Sequence, residues 1–263
     1  MDGNLIAERG GLGLTKLDWD SKPLWTFESL AHHDVWVGED GQVWSLDRAP
    51  AMVEGPDGKI PILADSIVLL GPDGSLRQRV PVFGFAGDRI PMSRIEAIRT
   101  ALITVPQDED LLSVVRSDSP YDVFHTNSVL PIQRTVPTMN AVPGDLLVSI
   151  RELHLVAVVR PEPPDPTNPE RPTGARIVWE LDTEVLYQHH ATLVADDHLL
   201  LFDNGRGRGY SRAVEIDPAN GEVVWEYSGD PPESMYSGWR GSAQRLPMAT
   251  RWSPSRTKVA SSR

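Results

Sequence analysis

The sequence predicts an all-β fold of the β-propeller type, because strand, turn and strand units recur along the chain with tryptophan at matching places. Segments 17–25, 69–80 and 216–227 each have the pattern of two strands joined by a tight turn rich in Asp, Gly or Asn. Segments 40–47 and 176–182 repeat the second half of that unit. Self-similar four-stranded units of about 40–50 residues are typical of a propeller. A β-sandwich or a set of unrelated hairpins is the alternative.

Three segments depart from the strand pattern. Residues 93–103 have apolar side chains at helical spacing, with Ser93 as the predicted N-cap, and residues 109–116 predict a second short helix. Together they form a predicted helical insertion. The run 161–172 contains too many prolines for a ladder of hydrogen bonds, so we predict a solvated loop between two strands of one blade.

Composition excludes several classes of protein. With 263 residues the chain can bury a large core as one domain, and its formal net charge of −12 argues against a nucleic-acid partner, which would need clustered Lys and Arg. Without cysteine there is no disulfide and no thiolate metal site. No window reaches the roughly 18 apolar residues of a membrane helix, and the first residues contain no export signal. As written, the sequence predicts a cytoplasmic protein.

Histidine is distributed unevenly. Four of the seven histidines form two doublets, His32-His33 and His189-His190, each where a strand-like run begins, and His125 lies in a polar cluster between them. Histidine can act near neutral pH as a nucleophile, a proton carrier or an anion ligand. Any one of these histidines is more often a hydrogen-bonded structural residue. Their combination predicts a site assembled from distant segments.

Five polar segments follow one another along the chain, with a sixth after them: A-H-H-D-V-W-V (31–37), D-V-F-H-T-N-S-V (122–129), G-D-L-L-V-S-I-R (144–151), Y-Q-H-H-A-T-L (187–193), L-F-D-N-G followed by S-R-A-V-E-I-D (201–217), and then G-S-A-Q-R-L-P (241–247). In this order they resemble segments of the bacterial arylsulfotransferases, which transfer sulfate between phenols without a nucleotide donor. The resemblance implies a six-bladed propeller. The units counted above account for about four blades, plus the helical insertion.

The resemblance also implies roles for individual residues. His189 would take the sulfuryl group covalently, His33 and His125 would bind the sulfuryl oxygens, and Arg151 would add a fixed positive charge. His32 and His190 stay candidates, because the choice within each doublet is open.

Further residues have two interpretations each. Asn127 is a candidate substrate contact or a residue that holds the turn presenting His125. Arg212 is a candidate sulfate contact or the partner of a blade carboxylate such as Glu215. We expect these remaining residues to have structural, surface or aryl-binding roles: Asp203 and Asn204 as turn residues, His154 and His198 as surface residues, and Trp36 or Trp239 as part of an aromatic pocket.

The implied reaction transfers a sulfuryl group from a phenolic sulfate donor to a phenol acceptor. A sulfate ester is a poor electrophile with negative oxygens, so Arg and imidazolium donors are needed to offset that charge. An N–S bond on histidine would store the group until the second phenol arrives, which predicts ping-pong kinetics. No metal or organic cofactor is required. The resemblance also implies a periplasmic or other extracytoplasmic family and admits a homodimer.

The family-like domain is predicted to span residues 1–247 and to be incomplete at both ends. The first residues resemble the inside of a blade, and residues 248–263 are basic and without a strand pattern. A change of reading frame before Met248 would restore a family-like strand. Because an unclosed ring of blades exposes strand edges, we expect this chain to be less active than a full-length parent protein with a closed propeller.

Two other functions fit the strand pattern. A non-catalytic propeller that binds a ligand or a protein would keep the blades and tolerate loss of His189. A quinone-dependent dehydrogenase has similar units but needs a carboxylate-bound calcium ion and a quinone, for which the sequence contains no convincing ligand cluster.

Overall fold

Strands dominate the structure, a computed structural model that describes residues 3–9, 12–103, 105, 115, 120–246 and 259–260. They account for 44% of these described residues, which confirms the all-β class. The chain divides into two compact units: Met1–His125 with Pro161–Arg176 (unit 1), and Thr126–Arg160 with Ile177–Arg263 (unit 2).

Unit 1 contains two antiparallel sheets whose strands follow one another in chain order. The first sheet has β1 (Leu5–Arg9), β2 (Gly13–Leu17) and β3 (Pro23–Phe27). The second has β4 (His32–Val37), β5 (Val43–Gly55), β6 (Gly58–Leu70) and β7 (Leu76–Pro81). Apolar side chains of these strands, together with Ala31 directly before β4, form one buried cluster whose other members are Leu14, Val43, Val68, Leu70 and Leu76.

Two helices follow β7. They are α1 (Phe83–Ala86) and α2 (Met92–Ile103), with a 3₁₀ turn at Gly87–Arg89 between them. The prediction of a helix over 93–103 is confirmed, but Ser93 is not its N-cap. The helix begins one residue earlier, and the Pro91 carbonyl accepts the first helical hydrogen bond, from the Ile95 N–H. Nearly all of the second predicted helix, 109–116, lies outside the described residues.

Unit 2 is built mainly from two four-stranded antiparallel sheets, again with strands in chain order. One has β8 (Thr126–Pro131), β9 (Leu146–Ile150), β10 (Leu155–Pro161) and β11 (Ala175–Glu180); the other has β12 (His189–Leu193), β13 (Leu199–Asp203), β14 (Arg212–Ile216) and β15 (Val223–Tyr227). The short strands β16 (Ser242–Ala243) and β17 (Val259–Ala260) also pair. Short 3₁₀ turns lie at Pro137–Met139, Arg151–Leu153, Ala195–Asp197 and Pro232–Ser234.

The predicted strand units are confirmed where the structure describes them. Segments 17–25, 69–80 and 216–227 span the turns from β2 into β3, from β6 into β7, and from β14 into β15. The proline run lies between β10 and β11, which are neighbours in one sheet, as expected. Four-stranded meanders are what blades would be, so the structure is consistent with the propeller, which stays a prediction. Of the described helices, none is long and apolar enough to cross a membrane.

Candidate active site

Each four-stranded sheet places a histidine at the start of its first strand. His32 begins β4, His125 directly precedes β8, and His189 begins β12. Each of these strands has an irregular register near its start, where His33, His125 and His190 adopt positive φ angles of 65°, 49° and 54°. A bulge with a left-handed residue redirects the side chains around it. The prediction that both doublets stand where strands begin is therefore confirmed.

The histidines of unit 1 form one continuous chain of contacts. His125 Nδ1 contacts Asp122 Oδ2, and His125 Nε2 lies 3.0 Å from His33 Nε2. His33 Nδ1 lies 2.9 Å from His32 Nδ1, and His32 Nε2 lies 3.6 Å from Asp65 Oδ1. The three predicted residues of this unit are thus brought together. Neither carboxylate was predicted from the sequence, although Asp122 stands three residues before His125 in the segment 122–129.

Burial separates the members of this chain. His32 is buried, His125 is half-buried and His33 is exposed. Burial lowers the pKa of His32 to about 3; the nearby Arg48 and His125 act in the same direction, and Asp122 opposes them. His32 is therefore a neutral imidazole at pH 7.

In unit 2, the ring of His189 is held in one orientation by its Nδ1 atom. Nδ1 donates to Asn204 Oδ1 at 2.8 Å and to the Tyr187 carbonyl at 3.1 Å. The Asn204 amide cannot be turned round, because its Nδ2 donates to the carbonyls of Ser237 (2.7 Å) and Arg240 (3.0 Å). Both partners of His189 Nδ1 are therefore acceptors. In the neutral ring the proton lies on Nδ1, and Nε2 has the lone pair.

Asn127 supports the same region from β8. Its Nδ2 donates to the backbone carbonyl of Gln188 at 2.7 Å, and the neighbouring Ser128 hydroxyl accepts the Ala191 N–H at 3.1 Å. Asn127 is buried. Of the two interpretations from sequence, the contacts favour a structural role, with Asn127 holding the backbone on one side of His189 and Ser128 on the other.

Arg151 lies in the turn directly after β9 and is buried. Its Nε and Nη2 donate to Glu152 Oε1 at 2.9 and 2.6 Å, and its guanidinium carbon lies 5.9 Å from the centre of the Trp239 ring. The guanidinium of Arg206 lies closer to that ring, at 3.9 Å, and at 5.0 Å from the Tyr187 ring. Because Trp239 is 57% exposed, its indole can still stack on an aryl group.

The sequence profile described as Arylsulfotransferase (ASST) matches residues 2–252, nearly the whole chain. The chain belongs to the arylsulfotransferase family. This confirms the resemblance predicted from the five segments and supports aryl sulfotransferase activity, with an aryl sulfate as donor and a phenol as acceptor. A search of the curated proteins finds no match.

Arg212 is paired with carboxylates other than the one suggested from sequence. Its Nε lies 2.8 Å from Asp203 Oδ2 and its Nη1 lies 2.8 Å from Glu226 Oε2. Glu215 instead contacts His198 Nδ1 at 2.8 Å. These contacts assign Arg212 a structural ion pair.

His154 is exposed, as expected, yet its ring has a structural contact in the candidate site. Its Nδ1 accepts the Tyr187 N–H at 3.0 Å. Burial of part of the ring lowers the pKa of His154, which favours the neutral form that can accept. His154 thus holds the residue whose carbonyl orients His189. This role was missed because the contact joins residues far apart in sequence.

Proposed function

We propose that the protein transfers a sulfuryl group from an aryl sulfate to a phenol through a covalent intermediate on His189. The observation that supports this role is the pair of acceptors on His189 Nδ1, which leaves the lone pair on Nε2. Nε2 attacks the sulfur, the bond between sulfur and the aryl oxygen breaks, and the aryl group leaves as a phenolate. Asn204 holds the ring in the tautomer that this step needs.

The second half-reaction returns the enzyme to its starting state. The acceptor phenol oxygen attacks sulfur, the N–S bond breaks, and the phenol proton passes to a histidine acting as a base, which releases it to a leaving phenolate or to water before the next cycle. We assign binding of the sulfuryl oxygens to His33 and His125, and a fixed charge to Arg151. Cationic donors of this kind offset the negative charge on the oxygens that a nucleophile must approach.

Intact-protein mass spectrometry after brief exposure to 4-nitrophenyl sulfate tests the role of His189. We expect nitrophenol release and an added sulfuryl group on the wild type and on His198→Ala, a matched histidine outside the site. His189→Ala should show neither, and His190→Ala should keep both. An adduct that persists in His189→Ala would contradict the proposal. Initial rates at several donor and acceptor concentrations should give the parallel double-reciprocal lines of a ping-pong mechanism.

A further inference from the structure

The three-stranded sheet of unit 1 matches the last three strands of the sheet β12–β15. β1 pairs with β2, and β13 pairs with β14, over five residues each. In both sheets the register with the next strand then shifts at one place, directly before Leu17 or Ile216, and these two residues are the partners of Leu5 and Leu199. β1 is therefore equivalent to β13, and the described part of its sheet contains no counterpart of β12.

β1 stands at the edge of its sheet, where each four-stranded sheet has one further strand, its first. Among the described strands, only β2 pairs with β1. Leu5 is 60% exposed, whereas its counterpart Leu199 is fully buried. An edge of this kind presents backbone N–H and C=O groups to a chain that can add as a strand.

A cavity of about 470 Å³ lies beside this edge, within unit 1. Its apolar lining includes Ile6 from β1, and Val35 and Val37 from β4. All three side chains also border the buried cluster between the two sheets of this unit. The cavity is therefore an extension of that core toward the open edge of β1.

In unit 2 a first strand fills the corresponding space. Leu130 of β8, and Ile132 directly after it, belong to one apolar cluster with Leu147 of β9 and Leu193 of β12. Leu193 corresponds to Val37, since each pairs with the first residue of the strand that follows it. The cavity in unit 1 therefore lies where two side chains of a first strand would pack.

Unit 2 contains a strand that fits this space. The segment S-A-Q-R-L-P (242–247), which includes β16, ends in Leu-Pro, as β8 does. Ala243 belongs to an apolar cluster with Leu200 of the preceding sheet, and Leu246 is 44% exposed. Among the described strands, only the two-residue β17 pairs with β16. The segment is thus a first strand whose sheet is nearly absent.

We propose that two copies of the chain associate through these surfaces, the segment 242–247 of each copy adding to the β1 edge of the other. The pairing of β8 with β9 supplies the register. Leu130 is opposite Leu147, which is the second residue of its strand as Ile6 is of β1, so Leu246 lies opposite Ile6 and fills the cavity. Each copy has one such strand and one such edge, and a reciprocal exchange closes the assembly at two copies.

Charge complementarity favours the same arrangement. Residues 248–263, which follow the segment, contain four Lys or Arg and no Asp or Glu. The cavity lining includes the exposed Glu39 and Asp40, with Lys16 as its basic residue. An antiparallel strand in the proposed register directs the residues after 247 toward Asn4, at the end of the cavity where these carboxylates lie.

Cysteine crosslinking of the full chain tests the proposal, since the sequence contains no cysteine. Ile6→Cys and Leu246→Cys, purified separately and then mixed under mild oxidation, should form a disulfide-linked pair of twice 29.1 kDa, because opposite residues in a ladder lie within reach of a disulfide. Neither variant should form the pair alone. Val224→Cys is the matched control for Leu246→Cys, since Val224 is 47% exposed on β15; mixed with Ile6→Cys it should stay monomeric. A mixture of folded variants without the linked pair would overturn the proposal.

The double variant Ile6→Cys/Leu246→Cys identifies which molecule supplies the strand. Exchange between copies predicts a covalent dimer on a non-reducing gel. A disulfide that closes within a single chain, at the mass of the monomer, would overturn the exchange.

Sedimentation velocity of the wild type provides a second readout. We expect a concentration-dependent equilibrium between monomer and dimer. Leu246→Lys would bring a charge into the apolar cavity and should weaken the dimer about tenfold or more, whereas Val224→Lys should leave it unchanged. A wild type that remains at 29.1 kDa at about 100 μM, where weak interfaces are populated, would overturn the proposal.

Discussion

Asn204 is the residue through which the proposed mechanism can be tested most directly without removing the nucleophile. It is fully buried and makes three side-chain hydrogen bonds: one accepted from His189 and two donated to backbone carbonyls. Asn204→Ala removes all three. At about 1 kcal/mol for each bond, the free energy of unfolding should fall by about 3 kcal/mol.

The effect of Asn204→Ala on activity should be partial. The Tyr187 carbonyl, 3.1 Å from His189 Nδ1, still accepts the ring proton and retains some preference for the reactive tautomer. Loss of an outer partner of a functional histidine typically costs about 10- to 100-fold. We therefore expect kcat to fall by that factor, far less than the roughly 10⁶-fold loss typical of removing a nucleophile.

The assay is nitrophenol release at a temperature where urea unfolding shows the variant to be folded. Asn220→Ala serves as the control, because Asn220 is an exposed turn residue that accepts only the Glu222 N–H among the contacts described. Activity within twofold of the wild type would refute the idea that Asn204 fixes the tautomer. A loss equal to that of His189→Ala would show that Tyr187 contributes nothing.

Three further predictions concern substrate binding, pH and stability. Trp239→Ala should raise KM for aryl sulfates about fivefold with little change in stability, because the residue is 57% exposed even with the Arg206 guanidinium 3.9 Å from the ring centre. An equal KM would contradict an aryl-binding role. The pKa of His32 is about 3 in the folded chain against an ordinary 6.5, so the unfolded chain binds a proton first as pH falls. The contribution of His32 to the free energy of unfolding should be complete above pH 6.5 and should decrease by about 1.4 kcal/mol per pH unit below it. Urea unfolding at pH 7 and pH 5 measures this change, and His32→Gln should remove it. Arg79 pairs with the buried Asp47 at 2.5 Å, so Arg79→Met should lower the free energy of unfolding by about 3 kcal/mol. Arg212→Met should lower it by only about 1–2 kcal/mol, because Asp203 keeps its second partner, Arg208, at 3.0 Å. A large rise in KM for Arg212→Met at unchanged stability would instead identify Arg212 as a substrate contact.

The sequence predicted the strands and the histidine positions well, since both depend on local patterns. The start of a strand at each of the doublets that begin with His32 and His189 was predictable, because Asp and Gly turns mark where strands end. The partners of the histidines were not predictable in the same way. Asn204 has the composition of a turn residue, and its contact with His189 depends on how β12 pairs with β13. The predicted N-cap, Ser93, lies two residues after Pro91, because a proline can also supply the first helical carbonyl.

The register of the three four-stranded sheets shows that one position, beside the start of the first strand, is occupied by a carboxylate in two sheets and by an arginine in the third. The residue that pairs with the start of each first strand is Leu46, Ile150 or Phe202. The next residue along the chain is Asp47, Arg151 or Asp203, so these three occupy the same position in their sheets.

Two of these positions have the same structural role. Asp47 accepts the Leu30 N–H at 3.1 Å and Asp203 accepts the Leu186 N–H at 2.9 Å, in each case from the segment that leads into a histidine doublet. An arginine from the same sheet pairs with each carboxylate. In the sheet formed by β8 to β11, Arg151 stands in place of the carboxylate. A position that holds the backbone in the other two sheets is therefore occupied by a guanidinium. This internal comparison favours Arg151 over Arg212 as the fixed positive charge, because Arg212 belongs to the repeated structural pair and Arg151 interrupts the repeat.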